Sequence, residues 1–181
     1  MVSAPTKILS SGQAGVGRAA LDAALQVGLL VSGWCPKDRW AEDGPIAAEY
    51  PLLETRAPGT HVQTQRNVEG SSATLVMTRG PLLASERLAA DLARSVRRPL
   101  LVVDLDRESA PSRTILEWIA TNRPRVLNVV GARESSAPGI YDETLDILTE
   151  VFEARARGLP VEVNVDHGLW RSRAGDAHVT Y

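Results

Sequence analysis

The 181-residue chain has one cysteine, Cys35, one phenylalanine and only two lysines, Lys7 and Lys37, among its 20 basic residues. A lone thiol cannot build a disulfide framework within the chain and suits a reducing compartment, so a cytoplasmic protein is expected. No apolar run approaches the length of a membrane span, and residues 1–7 lack the charged-then-apolar pattern of an export signal. A membrane partner is therefore not expected. The three histidines, His61, His167 and His178, show no paired spacing, so no protein-built metal cage is expected either. A formal net charge of -2 argues against a general nucleic-acid binder. The preference for arginine over lysine is explained by a GC-rich genome as readily as by function. What is present is an ordinary hydrophobic fraction of 44% and enough length for a complete core. With no internal repeat or composition break, the chain reads as one domain, residues 1–165, followed by a tail, 166–181.

The most informative stretch is Lys7-Ile8-Leu9-Ser10-Ser11-Gly12-Gln13-Ala14-Gly15-Val16-Gly17-Arg18-Ala19-Ala20-Leu21. It patterns as a short strand, a glycine loop and a helix start, an arrangement that lets loop N–H groups and the positive end of a helix dipole converge on an anion. Gly12, Gln13, Ala14, Gly15 and Arg18 are candidate ligand contacts on this ground. The loop nearly fits the nucleotide P-loop, but Arg18 stands where lysine would and Ala19 removes the hydroxyl that holds Mg²⁺, which disfavours ATP hydrolysis. It also fits G-x-G-x-x-A, yet no ribose-binding acid follows the second strand near Gly33, which disfavours a simple NAD dehydrogenase. The same glycines also suit a tight strand-to-helix turn with no ligand.

Further along, residues 18–27 suit a helix with Leu21, Ala24 and Leu25 on one face, and residues 29–33 a second strand. Residues 50–55 suit a short extended piece, 60–70 a polar helix and 73–78 a fully buried strand, after which Arg79-Gly80-Pro81 turns the chain. Residues 85–97 pattern as a helix capped by Ser85, with Leu88, Leu92 and Val96 at intervals of four, and 100–104 as another buried strand. Ser112 suits the cap of a helix through Ile115, Leu116 and Ile119 that stops before Pro124. Residues 126–130 form the last core strand, 140–157 a helix with Leu145, Leu148 and Phe152 on one stripe, and 161–165 an edge strand. This alternation predicts an α/β fold: a single doubly wound, mainly parallel, Rossmann-like sheet with helices on both faces. Ligands of such sheets bind beyond the carboxyl ends of the strands.

Two more loops open at that rim. Residues 34–46 are too broken for a regular element and carry Trp34, Pro36, Lys37, Arg39, Trp40, Glu42 and Asp43. Indoles can cover a flat ring, Lys37 and Arg39 can pair with oxyanions, and Glu42 or Asp43 can accept ring N–H donors. The alternative is tryptophans as packing plugs among solvated charges. Residues 128–139 bring Asn128, Gly131, Arg133, Glu134 and Ser135, while Asn67, Arg79, Gly80, Pro81 and Ser85 complete the candidates. Asp104, at the end of its strand, either faces the cleft or pairs with Arg107.

These blocks, in order, resemble the molybdenum cofactor carrier family. The residues concerned are Gly12-Gln13, Gly15-Val16, 18–22, Gly33-Trp34-Cys35-Pro36-Lys37, Arg39, 41–46, Asn67-Val68, Gly80-Pro81-Leu82, Asn128-Val129, Gly131, Arg133-Glu134-Ser135 and Pro138-Gly139-Ile140. The resemblance implies a Rossmann-like fold related to nucleotide-derivative-binding proteins, including the cytokinin-activating phosphoribohydrolases. It also implies homo-oligomers, dimer or tetramer, and, as in some relatives, molybdenum cofactor (molybdopterin) as the bound group. Where relatives read Gly-Gly-Gln-Thr-Gly-Val-Asp-Arg, this chain has Ser11-Gly12-Gln13-Ala14-Gly15-Val16-Gly17-Arg18, and where they show a Gly-Gly-Thr turn it has Leu83-Ala84-Ser85.

Two classes of function follow. One is a non-catalytic carrier of molybdenum cofactor or a related phosphorylated pterin or nucleotide-like ligand, which passes its cargo to a molybdoenzyme or a cofactor-building partner. Donors and aromatic walls without an obvious nucleophile and base favour it. The other is an enzyme on a nucleotide derivative, which needs a carboxylate near the ribose from Glu42, Asp43, Glu86 or Glu134; a nucleotide sensor is a variant of the same idea.

Overall fold

Short aliphatic runs separated by alanine- and leucine-rich segments arrange the chain as alternating strands and helices. The computed structural model describes residues 5–56 and 61–157. In order they form β1 (Lys7–Leu9), α1 (Val16–Gln26), β2 (Leu30–Ser32), β3 (Trp34–Cys35), a single 3-10 turn (Lys37–Arg39), β4 (Leu53–Glu54), α2 (His61–Gly70), β5 (Ala73–Thr78), α3 (Ala84–Ser95), β6 (Leu100–Asp104), α4 (Pro111–Asn122), β7 (Val126–Gly131) and α5 (Ile140–Ala156).

Five strands make one parallel sheet in the order β2-β1-β7-β5-β6. Helices α1, α4 and α5 pack together, and α2 packs on α3. The loops after β1 and β7 therefore lead towards one helical layer, and the loop after β5 leads towards the other. They part between β7 and β5, the kind of crevice where doubly wound sheets hold ligands. The result is the Rossmann-like α/β fold that the pattern predicts.

The two layers differ in chemistry. Ile8, Leu21, Leu75, Met77, Leu127, Leu148 and Phe152 belong to one large apolar cluster. A second buried apolar cluster holds only Val68, Ala89 and Ala93. Beside α2 and α3 the interior includes buried Gln63, Thr64, Asn67 and Glu86 from the helices. Thr74 and Asn128 add a strand-to-strand hydrogen bond of 3.4 Å. Side chains alternate across a strand, so these two polar residues share a face opposite Leu75 and Leu127.

Several local expectations change. Residues 100–104 are not a wholly buried strand: β6 lies at the sheet edge and Val102 is 37% exposed. Helix α3 buries Glu86, Ala89, Ala90 and Ala93, while Val96 is exposed, because small alanines allow closer approach than the leucine stripe would. Leu25 of α1 also faces outward. Ser85 lies inside α3 behind Leu83 at the cap position, and Ser112 follows Pro111, which opens α4 with Ala110 at its cap. Within residues 34–46, Trp34-Cys35 forms a strand paired with Leu53-Glu54 rather than loop. The expected strand at 161–165 and the tail 166–181 lie outside the described residues.

Candidate functional site

The glycine loop is shaped first by backbone packing. Gly15 has φ +98°, and a Cβ built there would lie 2.5 Å from the Ala132 carbonyl oxygen. Only glycine lets the exit of β1 lie so close to the loop after β7. Across this contact the Val16 N–H donates to Ala132 O at 3.1 Å and the Glu134 N–H to Ala14 O at 3.3 Å, while the Arg18 N–H donates to Gln13 O at 2.9 Å. These three N–H groups are thus occupied by carbonyls rather than offered to an anion. Arg18 donates through Nε to Gly12 O at 2.8 Å and pairs with Asp43 at 3.1 Å, so it braces the loop.

At the crevice between β7 and β5 lies a cleft of about 30 Å³ lined by Ser11, Gln13, Gly17, Gln63, Thr64, Ser85, Val130, Gly131 and Arg133. It unites the glycine loop, the starts of α2 and α3 and the end of β7. Gln13 is anchored because its Nε2 donates to the Trp40 carbonyl at 2.8 Å. Its Oε1, the Oε1 of Gln63 and the Oδ1 of Asn128 are buried without a hydrogen-bond partner among the described residues. Buried acceptors are normally satisfied, and two of these three belong to residues that line the cleft. The Arg133 guanidinium lies 5.7 Å from the centre of the Trp40 ring. Among the described residues it has no carboxylate partner.

The other candidates occupy different places. Trp34 lines a pocket of about 550 Å³ with Leu53, Glu54, Thr55, Arg56, Val62 and Arg66, and the Arg66 guanidinium sits 4.3 Å from its ring centre. Asn67 is taken up by the Trp34 backbone, accepting its N–H at 2.8 Å and donating to its carbonyl at 3.0 Å. Arg39 donates to the carbonyls of Ile46, Leu52, Ala47 and Tyr50, which makes it a clamp on its own loop. Pro36 is buried and Lys37 exposed. Gly80 and Pro81 line a third pocket, of about 370 Å³, with Asp104. The Asp104 carboxylate accepts the Gly80 N–H at 2.9 Å and lies 3.5 Å from Arg107, so the pairing alternative holds. Arg79 pairs with Glu143. None of the described cavities is lined by more than one of Trp34, Gly80 and Arg133, and Gly12 packs against Leu52 and Ile46. Among the described residues these loops therefore line separate cavities.

The largest of these cavities, about 700 Å³, lies beyond the glycine loop and includes Ala14, Arg18, Glu42, Asp43, Glu134, Ser135 and Asp22. Its carboxylates are mostly engaged. Glu42 accepts from the Ser135 N–H at 2.9 Å and hydroxyl at 2.5 Å, and Glu134 accepts the N–H groups of Gly139 and Tyr141 at the start of α5. Asp22 accepts the hydroxyls of Tyr50 and Tyr141, each at 2.7 Å. Burial and that carboxylate push Tyr141 up to about 12 and raise Tyr50 further. Cys35 is wholly buried, and burial raises its thiol above the ordinary range.

Residues 8–152 match the model of the circularly permutated YpsA SLOG family. The chain belongs to that family. Among solved structures, this SLOG protein is similar to the putative molybdenum carrier protein from Syntrophus aciditrophicus SB, at 38% identity and a TM-score of 0.78. The match covers 83% of this chain and 96% of that one, in agreement with the resemblance its motifs carry. No curated protein matches this SLOG chain.

The residues without a local signal are Gln63 and Thr64. Their trace in the sequence is a helix, residues 61–70, whose buried face consists of Gln63, Thr64, Asn67 and Val68 instead of an apolar stripe.

Proposed function

We propose that this protein is a non-catalytic carrier that holds molybdenum cofactor, or a related phosphorylated heterocycle, at the crevice where the loops after β7 and β5 part. The observation that carries the proposal is the cleft itself. Gln13, Ser85, Gly131 and Arg133, from distant parts of the chain, line one opening, and Gln13 and Gln63 on its lining each carry a buried amide oxygen with no hydrogen-bond partner among the described residues. Arg133 supplies a cation for a terminal phosphate, and charge-assisted contacts of this type are the strong ones. The relative from Syntrophus aciditrophicus, described as a putative molybdenum carrier, supports the same ligand class.

One observation favours an enzyme instead. Glu86 is 1% exposed and accepts the hydroxyl of Ser85, a cleft residue, at 3.0 Å. A buried carboxylate next to the ligand suits a phosphoribohydrolase-like reaction. Anaerobic purification followed by metal analysis and mass spectrometry separates the two. Molybdenum with a phosphorylated pterin, unchanged on incubation, is expected; a bound nucleotide that yields free base over hours would replace carriage with catalysis.

A further inference from the structure

The two edges of the sheet differ in what they offer. At one end β2 has three residues, short enough to give a partner little to pair with. At the other, β6 runs for five, Leu100-Leu101-Val102-Val103-Asp104, in unbroken register with β5. The Thr74 N–H donates to the Pro99 carbonyl at 2.9 Å, and the Leu105 N–H to the Thr78 carbonyl at 2.8 Å. Alternate residues of a parallel strand bond the same neighbour, so Leu101 and Val103 serve β5 as well. The N–H and C=O groups of Leu100 and Val102, and the N–H of Asp104, therefore point away from it. Pro99 is in phase with Leu101, so its missing N–H does not blunt the free side. No charged side chain, proline or bulge interrupts Leu100 to Val103, the devices that keep such an edge from pairing, and Val102 is 37% exposed.

We propose that β6 pairs with β6 of a second copy of this chain, antiparallel, across a two-fold axis at Val102. The axis sets Val102 opposite itself, Leu101 opposite Val103 and Leu100 opposite Asp104. Each Val102 N–H then donates to the opposed Val102 carbonyl, and each Asp104 N–H to the opposed Leu100 carbonyl. The Asp104 carbonyl needs no partner there, because it already accepts the N–H groups of Arg107 and Glu108 at 3.0 and 2.8 Å. Charge selects the occupant and its direction. Arg97 and Arg98 lead into β6, while Asp104, Asp106 and Glu108 close and follow it with a single cation, Arg107. Antiparallel self-pairing sets the basic entry of each copy against the acidic exit of the other, whereas a parallel approach opposes like charges. Beside the axis, Val102 opens with Pro81 and Leu82 onto the cavity of about 370 Å³, which leaves room for the opposed valine. The exit of α5 leads elsewhere: a right-handed crossover from β7 through the α1, α4 and α5 layer runs towards β2, as β1 does through α1.

The test reads the oligomeric state of the full chain by light scattering after gel filtration, across a concentration series. The wild-type chain is expected at the mass of two chains, and Val102→Lys at the mass of one with an unchanged circular dichroism spectrum. Val102→Cys locates the axis, because Cα atoms opposed in a hydrogen-bonded antiparallel pair lie about 5.5 Å apart, within disulfide reach. Under mild oxidation most of that variant is expected to run as a covalent dimer on a non-reducing gel. Leu30→Cys, on the β2 edge, is expected to stay uncrosslinked, and the wholly buried Cys35 takes no part. A monomeric wild type, a dimeric Val102→Lys, or crosslinking of Leu30→Cys as complete as that of Val102→Cys overturns the pairing. A monomer whose urea midpoint falls on Val102→Lys assigns the edge to a segment of the same chain and overturns it too. A larger assembly that Val102→Lys halves and Val102→Cys links in pairs retains it. None of these variants alters a cleft residue, so the carrier proposal stands or falls separately.

Discussion

Asn67 on α2 holds the Trp34 backbone at both its N–H and its carbonyl, with contacts of 2.8 and 3.0 Å, and so acts as the strand partner that β3 lacks on that side. The buried amide is oriented by need: oxygen to the N–H, nitrogen to the carbonyl. Asn67→Leu leaves both backbone groups without partners and is expected to cost about 2 to 4 kcal/mol, from about 1 to 3 kcal/mol per unsatisfied group less partial hydration. Urea denaturation should show a lower midpoint, together with a changed tryptophan emission as the stack of Arg66 on Trp34 loosens.

Arg18 and Arg133 separate bracing from binding. Arg18 is committed to Asp43 and the Gly12 carbonyl, whereas Arg133 faces the cleft with no carboxylate partner among the described residues. Arg133→Ala is expected to weaken a phosphorylated pterin by about 1.5 to 3 kcal/mol, the range for hydrogen bonds to charged groups, at nearly unchanged stability. Arg18→Ala should do the reverse, lowering the urea midpoint with a smaller effect on affinity. Calorimetry with a phosphorylated pterin, paired with denaturation curves, checks both; equal affinity losses would place Arg18 at the ligand as well.

The alternation of strands and helices, the fully buried β5 and the rim loops were legible because periodicity and turn residues are local properties. Arg39 shows where that legibility ends. Its four acceptors lie between residues 46 and 52, and no local pattern places those carbonyls around a guanidinium, so it looks like an oxyanion partner until the loop is folded. Strand β6 patterns as core, and only the sheet order puts it at an edge. Gly15 has the same appearance whether glycine admits an anion or a neighbouring backbone, and here Ala132 occupies the space. The cleft itself was half visible: Gln13, Ser85, Gly131 and Arg133 stood out by motif, while Gln63 joins them only through the packing of α2.

The shared carboxylate of Asp22 gives a pH signature. Burial first, then the hydrogen bond to Asp22, raises Tyr50 and Tyr141, the latter to about 12. The unfolded tyrosine titrates near 10, so the folded state binds the phenolic protons more tightly. This contribution to stability is therefore fully present below about pH 10 and declines as pH rises from about 10 towards 12. Absorbance at 295 nm should show Tyr50 and Tyr141 titrating late, with Phe substitutions assigning each. Asp22→Asn should lower both without returning them to 10, because burial is the larger cause. Complete titration of both in the wild type by pH 11 would contradict the half-buried triad.

Gly131 supports a final prediction, since it closes β7 and lines the cleft at once. A Cβ built on it would lie 2.1 Å from the Met77 carbonyl oxygen and 2.7 Å from Val16 Cγ1. Backbone cannot yield as a side-chain tip does, and the Met77 carbonyl already accepts the Ala132 N–H at 3.0 Å. Gly131→Ala must therefore displace β5 from β7 or lift the first residue of α1, an overpacking expected to cost about 2 kcal/mol or more. Gly70→Ala is the internal contrast: at the end of α2 its added methyl meets only Leu9 Cδ1 at 3.4 Å, and a near-neutral effect is expected. Either displacement in the Gly131 variant also alters the walls that place Gln13 and Arg133. Residual folded protein should then bind 6-hydroxymethylpterin at least tenfold more weakly, measured by fluorescence titration below the urea transition; wild-type affinity and stability together would remove Gly131 from the site.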